Sequence, residues 1–163
     1  MKTWILLLCI GWSLSAAAQG KKLYNPEADA VKDIELLVKQ AKKENKFVLI
    51  QAGGNWCSWC LEFARFAKAD VQIDSLIKAD FIWYHLNFSK ENQNKPVFAS
   101  YGFPQRFGFP VFLVLNQEGK LIHTQNSSYL EDGKKSYDKE KVMEFLASWT
   151  PAALDPATYE TKK

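Results

Sequence analysis

A chain of 163 residues is the size of one ordinary domain with short additions. Its 47% hydrophobic and 14% aromatic content supplies a core and excludes a disordered chain. The net charge of +3 comes from basic residues interleaved with acidic ones, which excludes a polyanion-binding surface, so no nucleic-acid partner is expected.

Lys2 is followed by an apolar run from Ile5 to Leu14 and then by Ala16-Ala17-Ala18. Charge, apolar run and small residues in that order are the pattern of a cleaved secretory signal. A membrane anchor wants about 20 apolar residues, and this run is shorter, so residues 1–18 are read as a leader cut after Ala18. Cys9 lies behind Leu8, where a lipoprotein site needs a small residue, and is expected to leave with the leader. Residues 19–150 then form the domain and 151–163 a polar, partly mobile tail. The mature chain is expected to be exported, most simply to a periplasm, with no membrane span and two cysteines, Cys57 and Cys60.

Val31, Ile34, Leu37, Val38 and Ala41 repeat at helical spacing, predicting an amphipathic helix over 30–45. Phe47 to Ala52 is nearly all apolar, as in a strand buried on both faces, and it runs into Gly53-Gly54 and the cysteines. A helix starts at Cys57 and reaches about Lys68, with a second helical piece over 71–78. Phe81 to Phe88, aromatic and β-branched, reads as a second buried strand. After a polar loop, Pro96 suits the first turn of a short helix through Tyr101. Val111 to Leu115 is a strand, turning through Asn116 to Gly119 into a return strand over 120–124. Residues 125–136 read as a charged surface loop. Asp138 is placed to cap a last helix, with Tyr137 and Val142 at the staple positions and Pro151 beyond its end. Strands alternating with helices before a final hairpin imply an α/β fold, a mixed sheet of about four to five strands with helices on both faces.

Two thiols three positions apart admit several uses. A structural zinc site needs four ligands, and only His85 and His123 could complete one; each stands alone in a predicted strand, where a hydrogen-bonded histidine is the commoner case. An inert disulfide across so short a loop removes little chain entropy. A redox couple has a physical basis: a cysteine in the first helical turn lies at unpaired N–H groups and the positive end of the helix dipole, which favour its thiolate. Cys57 is therefore the candidate nucleophile, and Cys60, one turn further in on the same face, the candidate resolving thiol.

Trp56-Cys57-Ser58-Trp59-Cys60 after a buried strand, with Phe109-Pro110 before the strand 111–115 and Gly119 in the hairpin, resembles the thioredoxin fold of exported bacterial thiol:disulfide oxidoreductases. The likeness spans about residues 28–149. It implies a redox-active Cys57–Cys60 disulfide, no cofactor, protein substrates bearing thiols or disulfides, and a membrane or soluble partner that recycles the pair. It also implies that Pro110 is a cis-proline facing the cysteines and that Phe109 offers its backbone to an extended substrate, with Trp56 and Trp59 as further substrate-binding residues. Many thioredoxins carry a buried acid six residues before the first cysteine; here that place is Gln51, which cannot exchange a proton. Gln51 and Glu62 are thus expected to modulate the pair, Glu62 as a route for the Cys60 proton. No cation separates the cysteines, which favours a reductant or isomerase over a strong oxidase. The alternatives are a non-catalytic binding module, using Phe103, Phe107, Phe109 and the tryptophans, and a reductant dedicated to cytochrome c maturation.

Overall fold

The computed structural model describes residues 22–160; the leader read over 1–18 lies outside them. In chain order the elements are α1 (Ala30–Glu44), β1 (Phe47–Gly53), α2 (Ser58–Ala69), α3 (Val71–Asp80), β2 (Phe81–Asn87), α4 (Lys95–Ser100), β3 (Val111–Leu115), β4 (Leu121–Asn126) and α5 (Lys139–Ser148). Local chemistry sets most boundaries. Asp29 caps α1 by accepting from Lys32 N, and Asn45 ends it in the left-handed region. Asp70 separates α2 from α3 by accepting from the N–H groups of Gln72 and Ile73. Asp138 caps α5 through Lys141 N, and Gly119 turns the last hairpin at φ 76°, a conformation that glycine takes without a side-chain clash.

The four strands form one mixed sheet in the order β2-β1-β3-β4. β1 runs parallel to β2, with α2 and α3 crossing over between them, and antiparallel to β3. Leu49, Phe63, Ile73, Phe112 and Leu146 pack on the face covered by α2, α3 and α5. Ile34, Val48, Ile50, Phe98 and Leu113 pack on the face covered by α1 and α4. All of β1 and β3 is buried, as continuous apolar runs require.

Two expectations are corrected by the topology. The segment 81–88 is an edge strand, not a second fully buried one: residues 82–85 are only half-buried, because β2 has a neighbour on one side alone. The segment 125–136 is more than a surface loop. β4 runs on to Asn126, a 3-10 turn over Ser127–Leu130 buries Leu130 in the core, and Glu131 bridges to Tyr137. Past Pro151, two short 3-10 turns, Ala152–Leu154 and Pro156–Thr158, are tied by Tyr159 Oη to Ala153 O at 2.8 Å.

His85 stands opposite Gln51 in the β1–β2 register, with Trp83 and Tyr24 rings 4.8 and 5.5 Å away. Its Nε2 has no hydrogen-bond partner among the described residues. Burial, reinforced by Lys68, lowers its pKa from 6.5 to about 4, so at neutral pH the ring is uncharged. As pH falls below 6.5 the unfolded chain takes up a proton that the folded one refuses until about pH 4, and stability is lost across that window. Denaturant titrations should show His85→Asn removing up to about 3 kcal/mol of the acid destabilisation between pH 7 and pH 4; equal slopes in variant and parent would refute this.

Candidate active site

Because β1 and β3 are antiparallel with Ala52 opposite Val111, the end of β1 lies beside the start of β3. The cysteines after β1 and the Phe109-Pro110 pair before β3 therefore meet. The Phe109–Pro110 bond is cis, and Phe109 packs against the cluster of Cys57, Cys60 and Tyr24.

Cys57 and Cys60 form a disulfide. Cys57 is the N-cap of α2, its Sγ accepting from Cys60 N at 3.1 Å. That N–H and the helix dipole behind it would favour a thiolate at the same atom once the bond is reduced. Cys57 keeps 6% of its surface and Cys60 none, so of the two residues Cys57 is the one a partner can approach. The approach to Gly53 is close: a side-chain carbon there would overlap Cys60 Sγ and lie 3.1 Å from Tyr24 Oη.

Gln51 is fully buried and its Nε2 donates to Tyr24 Oη at 2.8 Å and to Cys60 O at 2.7 Å. A backbone carbonyl only accepts, so the amide must present its nitrogen to Cys60 O, which fixes the orientation. Its Oε1 is without a partner among the described residues. Glu62 is placed otherwise. Both of its oxygens are engaged by Arg65, one also by Ser136, and these bonds hold its carboxyl below the ordinary range. No hydrogen bond among the described residues joins it to either cysteine.

Trp56 is 60% exposed; its indole N–H donates to Phe88 O at 2.7 Å and its ring meets Phe109 edge-on at 5.7 Å. Together with Phe88, Lys90, Glu91 and Gln93 it lines a groove of about 350 Å³, of which neither cysteine is a lining residue. Trp59 is half-buried, edge-on to Tyr137 at 5.5 Å, and its carbonyl accepts from Tyr137 Oη. It belongs as much to the core as to the site. Phe103 and Phe107 are exposed, with the Arg106 guanidinium 4.2 Å over the Phe107 ring. His123 is stacked on Trp149 at 4.2 Å, and among the described residues no three His, Cys, Asp or Glu side chains are grouped to hold a metal.

Tyr24 and Asn55 are site residues that the sequence reading missed. Asn55 accepts from Tyr24 N and donates to Tyr24 O, at 3.1 and 2.7 Å, clamping the segment before α1 against the cysteine loop. Tyr24 is fully buried there. A lone aromatic ahead of the first helix carries no periodic signal; the nearest clue was Asn55 inside the cysteine motif.

Residues 34–136 match the thioredoxin-like domain family. Among solved structures, a disulphide isomerase from Xylella fastidiosa Temecula1 superposes with a TM-score of 0.68 at 23% identity, covering 78% of this chain and 96% of that one. The oxidised DsbD C-terminal domain of Neisseria meningitidis gives 0.55 at 15% identity, covering 74% and 96%. A thioredoxin from Thermus thermophilus gives 0.50 at 14%, covering 77% and 84%. At these identities the likeness speaks to the fold alone. No curated protein matches in sequence.

The Gly53 contact makes a direct prediction. Gly53→Ala must push its new carbon into Cys60 Sγ, an overpacking cost of about 1–3 kcal/mol in denaturant unfolding of the oxidised protein. Parental stability in the variant would show that Cys60 does not sit against this strand.

Proposed function

The chain belongs to the thioredoxin-like domain family, and from that membership together with the Cys57–Cys60 pair we propose that it is a thiol:disulfide oxidoreductase acting on proteins. The observation that carries the reading is the asymmetry of the two cysteines: one caps the helix start and keeps a remnant of exposure, the other lies one turn deeper and is enclosed. Thiol–disulfide exchange needs such a division of labour.

In the reductive direction, Cys57 as thiolate attacks one sulfur of a substrate disulfide. A Cys57–substrate disulfide forms and the substrate's other sulfur departs as a thiolate, which takes a proton from solvent. Cys60, having lost its own proton, then attacks Cys57 Sγ. The Cys57–Cys60 bond forms, the bond to substrate breaks, and two electrons have passed to the substrate. The reverse sequence oxidises a substrate dithiol. We favour a reductant or isomerase, since Ser58 and Trp59 bring no cation between the cysteines to over-stabilise the thiolate.

The exposed Trp56 ring, the groove behind it and the Phe109 backbone support a docking surface for an extended, partly apolar substrate segment, held as an added strand beside the cis peptide. Half-buried Trp59 contributes its free edge. A leader cut after Ala18 would place the protein outside the inner membrane, where disulfides persist, and a second redox protein would then have to recycle the pair. Among the described residues no helix is long and apolar enough to cross a membrane.

Two measurements bear on this reading. The parent should accelerate insulin reduction by dithiothreitol, Cys57→Ser should abolish it, and Cys60→Ser should accumulate mixed disulfides; a parent with no activity leaves only a binding module. Gln51→Asp should shift mixed-disulfide resolution to higher pH, because a buried carboxylate opposes a second negative charge beside it. An unaltered pH profile would remove Gln51 from the modulating residues.

A further inference from the structure

The resolving step sets a problem that the residues around Cys60 must solve. Cys60 is fully enclosed, so its thiolate forms in a setting that penalises charge, and the side chain at position 51 is an amide that neither takes up a proton nor carries charge. Of the other charged or titratable groups nearby, Lys135 borders a separate surface cleft with Ser58, Trp59 and Glu62, and the rest are engaged or uncharged. Glu62 on α2 is held by Arg65 and Ser136, and Lys68 lies over the Trp83 ring. His85 on β2 is neutral, and the Tyr137 hydroxyl before α5 donates to Trp59 O. Tyr24 remains. Its hydroxyl oxygen accepts from Gln51 Nε2, which leaves its proton to donate, and no acceptor for that proton is found among the described residues. Tyr24 Oη and Cys60 Sγ flank the same point above Gly53, and both residues belong to one packed cluster.

Resting on the thiol chemistry proposed above, we propose that Tyr24 donates a hydrogen bond to the Cys60 thiolate, so that a neutral Gln51–Tyr24 relay stabilises the resolving sulfur in place of a buried acid. The relay runs from the Gln51 N–H to Tyr24 Oη and from the Tyr24 O–H to Cys60 Sγ. Each bond polarises the next. Tyr24 keeps its proton throughout, consistent with burial pushing its hydroxyl well above the ordinary tyrosine range. The Cys60 proton passes to solvent and the departing substrate sulfur takes one up, so the net count is unchanged. In the disulfide form Cys60 Sγ carries no charge and the donor is idle; it acts only while the mixed disulfide waits to be resolved.

The test uses the reduced full-length protein with 5-thio-2-nitrobenzoate joined to Cys57 as a mixed disulfide, its release followed by absorbance across pH. A hydrogen bond to a charged group is worth enough to slow release about tenfold at pH 7 in Tyr24→Phe. The variant should rejoin the parent rate at high pH, and the pH profile of the initial Cys57 reaction should stay unchanged. The phenylalanine keeps the ring against His85. Should the variant fail to fold, 3-fluorotyrosine placed at position 24 alone, a more acidic donor, should move the release midpoint to lower pH. A superimposable profile, or a slowing equal at every pH, overturns the relay alone. A parent that never releases the reagent overturns the oxidoreductase reading and the relay with it.

Discussion

One buried amide ties the site to the fold. Gln51 sits in the central strand, fully enclosed, and its two N–H groups reach the hydroxyl of Tyr24 and the carbonyl of Cys60. An amide buried without such partners would cost about 1–3 kcal/mol for each group left unpaired, so the segment carrying Tyr24, the strand and the first turn of α2 are held in one arrangement. Asn55 repeats the tie from the other side by exchanging two hydrogen bonds with the Tyr24 backbone. The disulfide thus rests on a polar frame rather than on apolar packing alone.

That frame is neutral. Burial keeps the His85 ring uncharged and the Tyr24 hydroxyl protonated, and Gln51 cannot ionise. The nearest carboxylate in sequence, Glu62, spends its charge on Arg65 at the surface, where an ion pair adds little stability. Within the buried frame, charge therefore comes from the helix end and from the sulfur atoms themselves, and Lys135 stands outside it, at the surface cleft by Ser58 and Trp59. Such a site tunes reactivity by hydrogen-bond donors, whose effect depends on geometry to tenths of an ångström, more than by field.

The aromatic residues divide between two tasks. Phe63, Phe112, Tyr137 and Trp83 pack into each other around the α2 face of the sheet, with ring centroids 4.3–6.0 Å apart. A second group, Trp56, Phe88, Phe98 and Phe109, makes a chain of ring contacts from the core to the surface beside the disulfide. The first group fixes the start of α2 against the sheet, and the second carries the peptide before β3 to the cysteines. Trp59 touches both the core and the cysteine cluster, which couples the position of the reactive turn to the packing beneath it.

Local chemistry determined a good deal. The capping by Asp138, the helix over 30–44, the continuous apolar strands β1 and β3, and the thiolate-favouring place of Cys57 are all set by residues within a turn or two of one another, and periodicity shows them. The resemblance to thioredoxins also marked Gln51 as an unusual residue ahead of the motif. Only the tertiary structure decided the rest. Whether an apolar strand lies at the centre or the edge depends on its neighbours, which is why residues 82–85 are only half-buried despite their composition. The antiparallel register of β1 and β3 brings Phe109 to the cysteines across about fifty residues of chain. Tyr24 reaches Cys60 through a hydrogen bond to an amide 27 positions away. Contacts of that span leave no periodic trace in the chain, since they are set by how the sheet closes and not by the residues beside them.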